Sequence, residues 1–199
     1  MAQNRNRHGL DVVTPPAAEP VTLDEAKAQC SITGSDHDTR LNSLITRARS
    51  YVEDYTGRAM ITQTFDYYLD NFSTPIALPN APLQSVTSIK YFDTSGVQQT
   101  LDAGVYTVST VREPGEITTA YEQSWPDIRY IPDAIVIRFV CGYGAASTVV
   151  PDTLRHAMLL LISHWFENTE AQGLSSRYAL TNINFDVAAL LDPYRIWRV

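Results

Sequence analysis

The sequence predicts an α+β protein, a helical bundle interrupted by an inserted antiparallel β domain. Three observations carry that prediction. Leu41, Leu44, Ile45, Ala48, Tyr51, Val52 and Tyr55 recur at spacings that put them on one helix face. Gly57 follows as the left-handed residue that commonly lies just past a helix end. From Thr62 the period changes to two, with Phe65, Tyr67 and Leu69 on one strand face. The change reverses near Gly144, where strands give way to a second long helix.

Residues 1–20 are polar and then proline-rich, with Pro15, Pro16 and Pro20. They read as an extended arm without a core of its own, and a neighbouring subunit is the natural agent to order it. Thr22-Leu23-Asp24-Glu25 is a capping box, opening a helix over about 22–30. Asp36 or Asp38 caps a second helix over 37–56. Residues 21–60 and 149–192 form the predicted helical domain.

The inserted β domain is expected over 61–148. Its strands are Ile61–Asp70, a short Pro75–Leu78, Ser85–Phe92, Val97–Leu101, Val105–Val108, Glu116–Thr119 and Ala134–Cys141. Prolines 75, 79, 82, 114, 126 and 132 mark edges and loops, because proline cannot donate to a ladder. Pro151 opens a third helix over 151–170, with Asp152 favourably placed in its first turn. Leu154, Met158, Leu161, Ile162 and Trp165 form its apolar stripe, and Leu159, Leu160 and Phe166 widen it. This helix is expected to be the most buried element. A loop over Gly173–Tyr178 leads to a short helix over 186–192 that ends before Pro193.

Composition narrows the function. Apolar residues make up 44% of 199, enough for a real core, while charged residues at 19% fall below the usual quarter. The net charge is −7, and it is unevenly spread. Arg5 and Arg7 near the start, and Arg195 and Arg198 near the end, leave a body with 11 basic against 22 acidic side chains. Such a body does not grip a nucleic-acid backbone, which is held by cations that displace counterions. It can still surround DNA without sticking to it. Cys30 and Cys141 make no disulfide framework and read as two small buried hydrophobes. Residues 1–20 lack the apolar core of a signal peptide, and the run Ala157–Ile162 is far too short for a membrane span. A soluble protein made in a cytoplasm is expected.

Sites of chemistry are weakly signalled. Asp152, His156, His164 and Glu167 lie on the third helix, but HExxH is absent and no second cluster adds ligands, so no metal is expected. Ile135–Ser147 ends in Gly-x-Gly after a strand, yet Pro151 opens the helix too late to present amides to a pyrophosphate. Gly142 and Gly144 read instead as a tight strand-to-helix turn. Asp66 and Asp70 share a strand without forming a glycosidase-type carboxylate pair. No nucleophile elbow or Walker loop is present. No cofactor is expected.

The segment Pro193–Val199 differs from the rest. Tyr194, Ile196, Trp197 and Val199 alternate with Arg195 and Arg198. Two readings stand: Ile196 and Trp197 fold back onto the core, or the segment is a docking peptide rich in hot-spot residue types.

A set of ordered landmarks spans residues 20–199. They are PVTLDEAKAQ at Pro20–Gln29, YTGRAMITQT at Tyr55–Thr64 and APLQSVTSIKYFD at Ala81–Asp93. Ser124-Trp125-Pro126, VIRFVCGYG at Val136–Gly144 and the Val150-Pro151 helix start follow. LLLISHWFEN at Leu159–Asn168 and LLDPYRIWRV at Leu190–Val199 complete them. In this order and spacing the chain resembles the head-to-tail connector, or adaptor, proteins of tailed bacteriophages and phage-like gene transfer agents. The resemblance implies a non-enzymatic structural protein of the virion, assembled in the host cytoplasm and located at the head–tail junction. It implies a homo-oligomeric ring, typically of twelve subunits, under the portal protein. Such a ring extends the DNA channel without sequence-specific binding and meets tail, stopper or other neck proteins. By position, it implies portal binding by Tyr194, Arg195, Ile196, Trp197, Arg198 and Val199. The rival expectations are another neck or tail-completion protein that binds the connector, and a small hydrolase with a dispersed site.

Overall fold

The computed structural model describes residues 9–168 and 186–196. The chain divides into two compact units. One gathers the residues up to Pro16 with Thr62–Gly142, and the other gathers Ala17–Ile61 with the residues from Tyr143 onward.

The first unit is built on strands, with a 3-10 turn at Ala103–Val105. Five strands form an antiparallel sheet in the order β1 (Leu10–Thr14), β2 (Gln63–Leu69), β8 (Ile135–Cys141), β4 (Leu83–Phe92) and β5 (Gln98–Thr100). A three-stranded sheet has the order β3 (Ile76–Ala77), β7 (Glu116–Thr119), β6 (Tyr106–Ser109). The central strand β8 shows the clearest alternation. Ile135, Ile137, Phe139 and Cys141 are buried while Arg138 is exposed. Phe139 lies directly opposite Phe65 of β2, with ring centroids 5.7 Å apart. That pairing stacks two large side chains on the buried face, the arrangement that most stabilises adjacent strands. On the other face Arg138 lies opposite Asp66 and donates from Nε at 2.8 Å and from a terminal nitrogen at 2.7 Å. This bidentate pair explains why Asp66 is buried within a strand of otherwise mixed burial.

Two features depart from the predicted strands. β4 is irregular against β8 between Leu83 and Ser85 and between Val86 and Ser88. Each shift inserts one residue, so strict alternation fails along β4, yet Leu83 and Ile89 both remain buried. One inserted residue, Gln84, donates from its amide to the Gly142 carbonyl at 2.8 Å. The second departure is β1. Residues 10–14 of the expected arm are a strand, and this chain's own β2 supplies its partner, with Leu10 opposite Tyr67 and Val12 opposite Phe65. A backbone ladder needs no sequence signal beyond β-compatible residues, and Leu-Asp-Val-Val-Thr supplies them.

The second unit is helical. α1 (Leu23–Gln29) has the predicted capping box, with both reciprocal bonds formed between Thr22 and Glu25. α2 (Asp38–Thr56) begins differently from the expectation. His37 holds the cap position without a side-chain bond, and Asp38, already helical, pairs with Lys27. α3 (Asp152–Glu167) has Pro151 at its cap, and residues 186–191 are helical and are called α4. The expected loop over Gly173–Tyr178 and the last residues of the expected third helix, 169–170, lie outside the described residues. The core joins Leu41, Leu44, Ile45, Ala48 and Val52 of α2 to Leu154, Ala157, Met158, Leu161 and Ile162 of α3. Val187 and Leu191 of α4 are also buried there. Leu159, Leu160, Trp165 and Phe166 are only partly buried, so α3 buries one face and not its whole circumference. Tyr51, predicted within the apolar stripe, is 38% exposed. It sits on the flank of the α2 stripe, where a tyrosine can keep its hydroxyl wet.

Candidate docking surface

The C-terminal segment is held at the end of α2 by a series of backbone and side-chain bonds. Asp192–Tyr194 form a 3-10 turn that contains Pro193, whose missing N–H stops α4. Gly57 caps α2 with φ 69°, the left-handed conformation that turns the chain away from the helix axis. The turn leaves the Thr56 carbonyl open, and the Ile196 amide donates to it at 2.8 Å. Ile196 Cβ lies 3.6 Å from where a Gly57 Cβ would stand, an ordinary van der Waals distance.

Arg58 fastens the same segment from beneath. Its Nε donates to the Tyr194 carbonyl at 2.6 Å, and a terminal nitrogen donates to the Tyr143 hydroxyl at 3.2 Å. The side chain is nearly buried, so these are charge-assisted bonds in a partly desolvated setting. Tyr55 Oη donates to Asp192 Oδ1 at 2.7 Å. That bond, with desolvation and the carboxylate charge adding to it, raises the Tyr55 pKa above the ordinary tyrosine value. The Arg195 guanidinium lies 5.2 Å from the Tyr55 ring centroid, within cation–π range.

Of the six residues expected to dock, Tyr194, Arg195 and Ile196 are therefore gathered on the end of α2. Ile196 folds back as the intramolecular reading expects, while Arg195 is exposed. Trp197, Arg198 and Val199 lie outside the described residues, as do Arg5 and Arg7.

The other sequence candidates are occupied by ordinary structural tasks. Asp152 pairs with Arg155 at 3.3 Å, His156 is exposed, and His164 is buried against Asn168. Among the described residues no group of three or more His, Cys, Asp or Glu side chains is placed to hold a metal ion. Gly144 adopts φ 157° and packs so closely that a Cβ would lie 2.7 Å from Val149 Cγ2, so the Gly-x-Gly segment is a packed turn. Asp70 Oδ1 accepts the Asp133 amide at 2.8 Å beside a cavity of about 160 Å³ lined by Asp70, Asn71, Tyr130, Ile131 and Pro132. Cys141 is buried, whereas Cys30 is only half-buried, contrary to the expectation for both. Burial, helped by the charge of Glu167, raises the Cys30 thiol pKa and keeps it protonated. Among the described residues no helix is long and apolar enough to cross a membrane.

A surface that the sequence pattern hides lies on one flank of α2. The Tyr51 ring is stacked near Tyr55, with centroids 6.3 Å apart, and meets Trp165 edge-on at 6.1 Å. Arg47 lies over the Trp165 ring at 4.5 Å. By spacing alone Tyr51, Tyr55 and Trp165 belong to apolar stripes that fit the core. The presence of Arg47, one turn before Tyr51, is the signal that could have separated this flank from the core.

Comparison with known proteins follows the same outline. The model of the head completion protein family matches residues 19–197. A chain of the structure titled "Virion of native gene transfer agent (GTA) particle" is 25% identical, with a TM-score of 0.76 and 96% of each chain covered. A chain of "Neck of empty GTA particle computed with C6 symmetry" has a TM-score of 0.78 at 24% identity, again with 96% of each chain covered. One of "Neck of native GTA particle computed with C12 symmetry" has a TM-score of 0.69 at 24% identity and the same coverage. The latter two likenesses speak to the fold. No curated protein matches the chain.

Proposed function

This chain belongs to the head completion protein family, and on that footing we propose that it is a ring-forming structural protein of a virion neck, joining head to tail components. The observation that carries this reading is the family match over residues 19–197, together with a shared fold across 96% of a chain from a gene transfer agent virion. A subunit of that kind needs contact faces and a stable scaffold, not convergent catalytic groups. Asp66 and Asp152 are engaged in ion pairs, and Asp70 accepts a backbone hydrogen bond, which suits such a role.

The portal protein is the proposed partner on the head side, and the C-terminal segment the proposed contact. The geometry supports a docking element whose root, Tyr194–Ile196, is fixed. Bonds to Arg58 and Thr56 hold Tyr194 and Ile196, so the entropy of ordering the root is already met before a partner arrives. Tail, stopper or other neck proteins are the proposed partners on the opposite side. DNA passes through the proposed ring without sequence-specific contact. The net charge of −7 supports passage, since it offers phosphates little to hold.

Co-sedimentation with the portal ring of the same genome tests the reading. Three chains are compared: full length, one ending at Ile196, and one ending at Asp192. Binding by the full chain alone assigns the contact to Trp197–Val199. Binding lost only on ending at Asp192 assigns it to the pinned root. If all three bind, the neck role stands and the tail assignment falls. If none binds to an intact portal ring, a neck protein that binds the connector replaces the proposal.

A further inference from the structure

The helical unit carries surfaces of opposite character on opposite flanks of α2. Residues 40, 47 and 51 follow one another at helical spacing on one flank, and residues 46, 49 and 53 on the other, with the buried stripe between them. The first flank holds the ridge of Arg47, Tyr51 and Trp165. Arg47 is exposed and has no carboxylate partner among the described residues; its cation rests on the Trp165 ring at 4.5 Å. Arg40 extends the same flank, lying 4.3 Å from the centroid of the Phe166 ring. Asp54, further along, has a partner of its own.

The second flank is acidic. Glu19 accepts from Thr46 and from Arg49 at 3.0 and 2.8 Å, which draws the segment before α1 against α2. Arg155 of α3 joins the same side, bonding to the Pro20 carbonyl and to Glu25. Arg49 and Arg155 are thereby consumed within the unit. Asp24, exposed in the first turn of α1, has no partner among the described residues, and Asp152, which pairs with Arg155 at 3.3 Å, keeps a side chain that is 96% exposed. What this flank shows to solvent is carboxylate.

We infer that the Arg47–Tyr51–Trp165 ridge is one half of the contact between neighbouring subunits, and that it receives the acidic flank around Asp24 of a second copy. The inference rests on the ring reading and names the surfaces that would close it. A head-to-tail ring brings different faces of identical chains together, so it requires two complementary surfaces on one subunit. A two-fold contact would instead set ridge against ridge and place the Arg47 cations of the two copies together. Tyrosine, tryptophan and arginine are the types that dominate binding energy at the centre of interfaces. Here the Tyr51 and Trp165 rings already meet edge-on, and Arg47 is already held over the Trp165 ring, so little side-chain freedom remains to be lost on contact.

The test uses the full chain, alone and on portal rings, with assembly followed by native mass spectrometry and sedimentation velocity. Arg47→Glu and Asp24→Lys are made separately, and circular dichroism checks that each folds. Each variant is expected to need about tenfold or more protein to assemble, if it assembles at all. An equimolar mixture of the two is expected to recover assembly, because alternating the variants keeps the native contact at every other junction and sets the two reversed, opposite charges against each other at the rest. Tyr51→Ala, which changes no charge, is expected to weaken assembly in the same direction. Variants that assemble like the wild type overturn the inference and leave the ring reading standing. A mixture that stays unassembled also overturns it. A wild type that forms no ring, either alone or on the portal, removes both.

Discussion

The Tyr194 carbonyl accepts a 2.6 Å hydrogen bond from Nε of Arg58, a residue remote in sequence from it. Arg58 stands just beyond the end of α2, and Tyr194 just beyond α4. One guanidinium thus ties together the two places where the chain leaves a helix. Replacing it with lysine removes the planar fork and the Nε–H while keeping the charge. Arg58→Lys is expected to cost about 1–3 kcal/mol of stability, the range for a lost charge-assisted bond. Thermal unfolding with limited proteolysis near residues 192–196 reads both effects. Unchanged melting and unchanged cleavage would show that the bond does not hold the segment.

Gly57 links the helix end to the same segment. Its φ of 69° disfavours a side chain, but a Cβ there would meet Ile196 only at 3.6 Å. Gly57→Ala therefore carries backbone strain without a clash, and is expected to cost about 1 kcal/mol. Gly57→Asn should cost less, since asparagine tolerates the left-handed region. Urea unfolding of the two variants checks the order; equal losses would point to crowding rather than strain.

The capping box gives α1 a pH signature. Burial raises the Glu25 pKa, but bonds from the Thr22 amide and hydroxyl, and the Arg155 guanidinium, outweigh it and leave the pKa below the ordinary value. A carboxylate depressed in the folded state stabilises above its unfolded pKa, and that contribution fades as pH falls through the folded value. Glu25→Gln is expected to be less stable than the wild type at neutral pH, with the gap closing below the ordinary glutamate range. A gap that persists unchanged into acid would mean that the carboxylate charge is not what matters.

In the sheet, Phe139→Ala removes a fully buried ring that stacks on Phe65. The expected loss is about 3–5 kcal/mol. Phe65→Ala should be less than additive with it, because the two rings share one contact. Full additivity in denaturant unfolding would place their contributions elsewhere.

The residues that define periods of three to four or of two are neighbours in the chain, so their pattern reports local structure directly. That is why α2, α3, the capping box and the alternation of β8 were legible in the sequence. Family resemblance was legible too, because its landmarks are ordered along the chain. The C-terminal segment was legible only as a composition, since alternating arginines and aromatics do not say whether a tail folds back or hangs free.

Tertiary structure decided what depends on partners distant in sequence. β1 became a strand because β2 offered an open edge, and five residues of modest β preference do not announce such a pairing. β4 kept both Leu83 and Ile89 buried through shifts that only its partner β8 reveals. Tyr51 and Trp165 have the spacing of core residues, but which flank is covered depends on where the next element packs. Arg58 found Tyr194 in the same way. The sequence by itself determined the helices, the strands from β2 onward and the family to which they belong. Only the fold decided which faces stay exposed, because burial is settled between elements and not along them.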